Sequence, residues 1–206
     1  MTQIFHITHV DNLALILERG EICCDCTRVE QEIKARNIGY AHIKERRKSR
    51  VITKGPGGLL WEYTPFYFAP RSPMLYVISR GNVPGYDEGQ EPVVHLVAEA
   101  EVIAEAGLGF VITNGHAEME ISEQFGDLVD LGRVDWEIMG KKYWNDTEED
   151  NDRLRRRQAE FLVHGACPWE LIQEVAVMSD SLAQRVKAIV SGTEGPRVVV
   201  RRNWYY

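Results

Sequence analysis

What the chain lacks narrows its class before any motif is read. Its apolar runs are only a few residues long, Phe161–Val163 and Val198–Val200 among them, so no transmembrane helix and no membrane partner are expected. The opening MTQIFHITHVDN has no basic stretch followed by an apolar one, so no signal peptide is expected. Cysteine is scarce: Cys23, Cys24 and Cys26 sit together and Cys167 is distant. Adjacent cysteines make a poor disulfide framework, and without a second pair or spaced histidines they make no metal site. The expectation is reduced thiols, a cytoplasmic protein and no metal. No G-x-G-x-x-G follows a strand and no Walker A sequence occurs, so a nucleotide here is held by neither a Rossmann turn nor a P-loop. No repeat, low-complexity tract or flexible linker divides the 206 residues, which read as one domain.

An excess of positive charge is also missing. The net charge of −7 argues against indiscriminate binding to long duplex nucleic acid, but not against a local basic site. The positive residues are clustered in Lys44–Arg50 (KERRKSR) and Arg153–Arg157 (RLRRR), and an acidic run follows its own course at Glu148–Asp152 (EEDND).

The hydrophobic 44% of the chain is enough for one core. A strand is expected at Ile4–Thr8, then a helix capped by Asp11 or Asn12, with Leu13, Ile16 and Leu17 on one face and Gly20 at its end. Polar helical pieces fall around Val29–Ala35 and His42–Arg50, and Lys54–Gly58 is a loop. Phe66–Ala69 reads as a strand, and Ser72-Pro73 starts a helix that runs to Arg80. Further strands are expected at Pro92–Ala98, Phe110–Thr113, Glu160–His164, Glu174–Met178 and Arg197–Arg202. Helical segments are expected at Ala100–Ala106, Asp135–Tyr143 and Pro168–Ile172, with a last helix from an Asp180 cap to Val190; Ser122–Leu131 is ambiguous. Strands outnumber helices and do not alternate with them. The class is therefore α+β with a mainly antiparallel, split sheet rather than a doubly wound parallel one.

Three places can carry chemistry. His6 and Thr8 at the end of the opening strand can hydrogen-bond a ribose; the plain alternative is a half-buried strand-end histidine. The run Lys44, Arg46, Arg47, Lys48, Arg50 puts Arg46 and Arg50 on one helix face and Arg47 on another. Guanidinium forks suit phosphate or pyrophosphate, and the alternative is a solvated basic face. Glu160 leads into an apolar strand, where a charge is costly unless it has a partner or a task; the alternative is pairing with a preceding arginine. Glycoside hydrolysis usually uses two carboxylates. One suffices when the leaving group needs no proton, as with a cationic nicotinamide ring that departs neutral.

Four blocks together resemble the DarT family of DNA ADP-ribosyltransferases: Phe5–Leu13, Ile43–Arg47, Pro65–Tyr76 (PFYFAPRSPMLY) and Arg156–Val163 (RRQAEFLV). The resemblance implies the ADP-ribosyltransferase fold, with NAD as co-substrate in the cleft of a split sheet and peripheral helices around it. It implies NAD contacts from His6, Ile7, Thr8, Asn12, Leu15, Arg46, Arg47, Arg50 and Tyr67, with residues 27–53 as the NAD-binding helical element. Glu160 matches the catalytic glutamate. Arg47 is the first match to the catalytic arginine, with Arg46 and Arg50 as neighbours that leave the register open. Residues from about 116 to 160 match a substrate-reading region, with His116, Tyr143, Trp144, Arg153 and Arg156 as DNA-binding candidates; for Tyr143 and Trp144 ordinary packing is the alternative. The expected activity is transfer of ADP-ribose to a base in single-stranded DNA, thymine in the family's larger branch and guanine in another. The expected role is that of a toxin paired with a macrodomain antitoxin, DarG. Transfer to RNA or protein, and a non-catalytic NAD- or nucleic-acid-binding module, are the alternatives.

Overall fold

The structure, a computed structural model, describes residues 1–192 and 195–206. Its elements in chain order are β1 (Gln3–His9), α1 (Asn12–Arg19), β2 (Glu21–Ile22), α2 (Asp25–Glu30), α3 (Ala41–Arg47), β3 (Val51–Ile52), β4 (Gly58–Leu59), β5 (Tyr63–Tyr67), α4 (Pro73–Ser79), β6 (Val93–Glu99), α5 (Ala100–Glu105), β7 (Phe110–His116), β8 (Gln124–Phe125), α6 (Trp136–Gly140), α7 (Arg153–Arg157), β9 (Ala159–His164), β10 (Cys167–Pro168), β11 (Glu174–Val177), α8 (Asp180–Val190) and β12 (Arg197–Val200).

Eight of the strands form one sheet in the order β12-β11-β6-β1-β5-β9-β7-β8. Its neighbours are antiparallel except β11 and β12. The pairing is uneven. β1 and β6 pair along their whole length, Gln3 opposite Glu99 through His9 opposite Val93, whereas β1 and β5 meet only at Phe5 opposite Tyr67. The sheet is therefore two half-sheets hinged at one residue pair, and this is the expected split. A second irregularity lies in β7, whose register against β9 shifts between Ile112 and His116. The Thr113 hydroxyl takes over there, accepting from the Glu160 amide at 3.0 Å and donating to the Gly115 carbonyl at 2.7 Å.

Period-two alternation decides which side chain of β9 goes where. Ala159, Phe161 and Val163 enter the main core with Ile4, Leu13, Phe66 and Leu96. Leu162 points the other way, into a smaller cluster with Ile52, Leu60, Tyr63 and Val111. Glu160 shares the face of Leu162, as the alternation requires.

Most expected elements appear, with local corrections. Gly20 ends α1 in the left-handed conformation at φ 71°. Asp11 occupies the cap position of α1 without a side-chain cap bond, because its carboxylate pairs with Arg185 and lies 3.4 Å from His9. Ser179, not Asp180, caps α8 by accepting from the Leu182 amide at 3.2 Å. The helical piece expected at 29–35 lies earlier, at α2, where Cys24 caps it. The strand expected at 66–69 is β5, and the helix expected at 135–143 is only the short α6. The run Arg153–Arg157 forms α7. The ambiguous 122–131 stretch becomes β8 and a 3-10 turn over Leu128–Arg133. Among the described residues no helix is long and apolar enough to cross a membrane.

Ser72 caps α4 as its sequence suggests, its hydroxyl accepting from the Leu75 amide at 3.2 Å with Pro73 at the first helical position. The cap is buried, so no water replaces it. Ser72→Ala is expected to lower stability by about 1 kcal/mol, read as a lower urea midpoint at unchanged slope.

Candidate active site

A cavity of about 330 Å³ opens at the parting of β1 and β5. His6, Ile7 and Thr8 of β1 form one wall, with Leu15 and Ile16 of α1; Tyr67 of β5 and Met74 and Val77 of α4 form the other. α2 and α3 bring Asp25, Arg28, Lys44 and Arg47 over it, and Glu160 and His116 lie on its floor. Five cationic residues line it (Arg19, Arg28, Arg36, Lys44, Arg47) against three carboxylates (Glu21, Asp25, Glu160). Two positive charges are thus in excess in a chain that is acidic as a whole. That local balance matches a dianion such as a pyrophosphate.

Glu160 is 2% exposed. A carboxylate so buried is stable only with strong partners. Arg47 Nη1 donates to its two oxygens at 3.0 and 3.3 Å, and the Ala117 amide donates to Oε1 at 3.0 Å. The β7 irregularity is what brings that amide within reach. Arg47 is itself buried, and its Nη2 is enclosed without a hydrogen-bond partner. The guanidinium therefore has one arm on the glutamate and one arm unspent. Arg28 Nε on the same lining is in the same condition. Of the three neighbouring arginines, only Arg47 faces Glu160. Arg46 turns outward to Glu118 at 2.7 Å, and Arg50 donates to the Ala117 and Met119 carbonyls at 3.3 Å; neither lines the cavity. The expected Arg46 and Arg50 contacts to NAD have no counterpart in this lining, because α3 turns Arg46 to a different face from Arg47 and Arg50 lies beyond the helix end, held by carbonyls of the 117–119 segment.

The other polar groups are similarly fixed. The His6 ring is desolvated, which lowers its pKa from 6.5 to about 4. Its Nδ1 lies 2.8 Å from the Pro65 carbonyl, an acceptor only, so Nδ1 carries the proton and donates. Nε2 is left as an acceptor. This hydrogen bond also ties β1 to β5 across the split. Asn12 lines the cavity, but its carboxamide is engaged with the Arg36 backbone at both atoms and with the Thr8 hydroxyl. It holds the 35–37 loop in place. Lys44 meets Asp25 at 2.9 Å and Arg28 meets it at 3.3 Å. Burial pushes the Asp25 carboxyl up, but these cations outweigh it and hold it below the usual range. Tyr67, opposite Glu160 in the register, is pushed up by burial and then by that charge, so its hydroxyl stays protonated. Burial lowers the His116 pKa more than the Glu160 charge restores it.

The remaining candidates divide. Tyr143 is 73% exposed, with Lys142 over its ring. Arg153 donates to the Tyr143 carbonyl at 2.8 Å. Arg156 is bound up with Asp135, Asp150 and Asp152. Trp144, expected to stack on a base, is buried instead, its indole N–H donating to the Tyr206 hydroxyl at 3.1 Å. Packing prevails because the ring meets Tyr76 edge-on in an apolar setting. Sequence reasoning missed Asp25, Arg28 and Met74 as individual lining residues, and took Lys44 only as part of the cationic run. The signal for Asp25 and Arg28, charges in a weakly periodic segment, is too general to single them out, and Met74 reads as an ordinary helix residue.

A family model described as ssDNA thymidine ADP-ribosyltransferase, DarT, matches residues 5–206. The chain belongs to the DarT family. It is 43% identical over 208 residues to the DNA ADP-ribosyl transferase of Thermus sp. (strain 2.9), covering 100% of this chain and 96% of the relative. Solved structures of Thermus sp. 2.9 DarT superpose closely. The complex with ADP-ribosylated ssDNA has a TM-score of 0.92 at 43% identity, covering 100% of this chain and 96% of that one. The complex with NAD+ has a TM-score of 0.89 at 40% identity, covering 100% and 98%. A Thermosipho africanus DNA ADP-ribosyl transferase-DNA ADP-ribosyl glycohydrolase fusion protein is 26% identical over 196 residues, covering 94% of this chain and 47% of the fusion. The α+β architecture with its mainly antiparallel sheet is thus that of the DarT enzymes, and the chain is by family a DNA ADP-ribosyltransferase. No cluster able to hold a metal ion occurs among the described residues.

The lowered pKa of His6, and that of the buried His95, also about 4, set a pH dependence of stability. Both rings are neutral when folded and titrate near 6.5 when unfolded, so between these values the unfolded chain binds more protons. Stability is therefore full above about pH 6.5 and declines as pH falls toward 4, by up to about 1.4 kcal/mol per pH unit for each ring. Urea midpoints measured at pH 7 and pH 5 should show the decline, and His6→Gln should make it smaller.

Proposed function

We propose that this enzyme transfers ADP-ribose from NAD to a thymine base in single-stranded DNA and releases nicotinamide. The observation that carries the reading is the buried Glu160 carboxylate paired with Arg47 at the floor of a cavity with two excess positive charges. A dinucleotide fits this lining on chemical grounds. The free arm of Arg47, with Arg28 and Lys44, is suited to its pyrophosphate. The Nε2 acceptor of His6 is suited to a ribose hydroxyl, and Leu15, Ile16, Met74 and Val77 offer apolar cover to its rings. Residues 27–53 then act as the NAD-binding element and residues from about 116 to 160 as the substrate-reading region, within one domain spanning 1–206.

In the reaction, Glu160 accepts from the ribose 2′-hydroxyl and places fixed negative charge beside the cation that develops at C1′ as the nicotinamide bond breaks. This is stabilisation of charge where it appears, and it speeds bond breaking only because it is stronger in the transition state than before it. Arg47 positions Glu160 with one arm and, with the other, stabilises the anionic base or phosphate. Its guanidinium is a poor base, since it is practically never deprotonated. A ring nitrogen of thymine is hidden in duplex DNA and free in a single strand. His116 beside Glu160, and Tyr143 with Arg153 outside the cavity, are placed to meet that strand. We further propose the role of a toxin countered by a macrodomain antitoxin of the DarG type; the Thermosipho africanus fusion joins a transferase and a glycohydrolase in one chain. The four free thiols, two of them buried, suit a cytoplasmic location.

Glu160→Ala leaves the buried Arg47 without a counter-charge, a loss of about 3–5 kcal/mol. Glu160→Gln keeps an acceptor for the Ala117 amide and is the cleaner test. With NAD and defined oligonucleotides, mass analysis should show the ADP-ribosyl adduct on the thymine-containing single strand, with transfer reduced at least about 10²-fold in Glu160→Gln. Arg47→Lys, which keeps charge but cannot serve Glu160 and a second anion together, should lose most transfer. Adduct on guanine, RNA or protein alone, or undiminished transfer by Glu160→Gln, overturns the reading.

A further inference from the structure

The segment between α6 and α7 carries the exposed Tyr143 and Arg153 but has little regular structure of its own. One buried residue, Trp144, fastens it. The indole N–H donates to the Tyr206 hydroxyl, and that hydroxyl donates its own proton to the Arg71 carbonyl at 3.0 Å. Tyr206 is held from every side. Gln90 bonds both its amide and its carbonyl, the Arg71 guanidinium lies 4.3 Å from its ring centroid, and Tyr76 meets the ring at 5.1 Å. The same Arg71 carbonyl accepts from Arg157 Nη2 at 3.0 Å, three residues before Glu160. Arg71 immediately precedes the Ser72 cap of α4, whose Met74 and Val77 wall the cavity.

We propose that Trp144 and Tyr206 are positioning residues that present Tyr143 and Arg153 to the single strand. The chain of bonds runs from a rigid carbonyl at the start of α4, through one shared hydroxyl, to one indole, and the next side chain outward is Tyr143. An aromatic ring stacks productively on a base only if it is already held in place, since ordering it on binding costs entropy. Arg153 is tied to the same point by its bond to the Tyr143 carbonyl. Neither Trp144 nor Tyr206 lines the cavity or bonds to Glu160, so the latch acts on acceptor binding and not on the breaking of NAD. The proposal rests on the activity proposed above.

Tyr206→Phe removes the shared hydroxyl and keeps the ring. Loss of one hydrogen bond predicts an oligonucleotide KM raised about three- to tenfold, with kcat, NAD affinity and nicotinamide release in the absence of oligonucleotide unchanged. Trp144→Phe should do the same, and the two together should be no worse than Trp144→Phe alone. In a Tyr143→Ala background the effect of Tyr206→Phe should shrink, since only Arg153 is then left for the latch to present. Amide exchange across residues 141–152, measured without substrate, should quicken in Tyr206→Phe. An oligonucleotide KM within twofold of the parent, an equal loss of nicotinamide release, or unchanged exchange overturns the latch. If the parent enzyme labels no oligonucleotide the activity reading falls, while the exchange measurement still decides the latch.

Discussion

A carboxylate cannot be buried in the middle of a β-sheet unless something answers its charge, and the arrangement around Glu160 is the answer. The alternation that sends Phe161 and Val163 into the main core leaves Glu160 on the opposite face, level with Leu162. An unpaired charge there would cost several kcal/mol. Two features prevent it. α3 delivers Arg47, and the shifted register of β7 delivers the Ala117 amide. The sheet irregularity, usually a weakness, is here what brings in a backbone donor. The Thr113 hydroxyl fills the gap in the ladder that the shift leaves behind.

The same constraint explains the split. If β1 and β5 paired along their length, their side chains would close over the ion pair and no ligand could reach it. They meet at one residue pair, Phe5 opposite Tyr67, one position from His6. Beyond that pair the His6 ring bridges to the Pro65 carbonyl and keeps the half-sheets from drifting apart. The opening is thus set by two short connections, one of backbone and one of side chain. Three of the four residues that make them, His6, Pro65 and Tyr67, line the cavity, so the contacts that set the split also shape the site.

How much of this could be read from the sequence follows from the range of the interactions. Local signals were legible. Gly20, Ser72-Pro73 and the alternation through Glu160 each act within a few residues, and each appears as expected. The choice among Arg46, Arg47 and Arg50 was not legible, because helical spacing separates their faces without saying which faces inward; that depends on tertiary contacts such as the one between Arg47 and Glu160. Trp144 was misread for a related reason. An aromatic in a polar, acidic segment resembles a stacking residue, and only the distant Tyr206 and Tyr76 make it a packing one. The displaced caps of α1 and α8 have the same origin. Asp11 is drawn to Arg185 and Asp180 to Arg202, so neither side chain makes its own helix's cap bond.

Buried polar atoms without partners are uncommon in folded proteins and call for a cause. Arg47 Nη2 and Arg28 Nε are two of them, both on the wall of one cavity whose charge is positive by two. Two unpartnered donors on a wall with two excess positive charges have the chemistry to receive an anion of two charges. Asp25 lies between Lys44 and Arg28, which spaces the cations without neutralising the set. The cavity's own charges are left incomplete, and Arg47 stands at the point where they meet the buried glutamate, with one arm on Glu160 and the other without a protein partner.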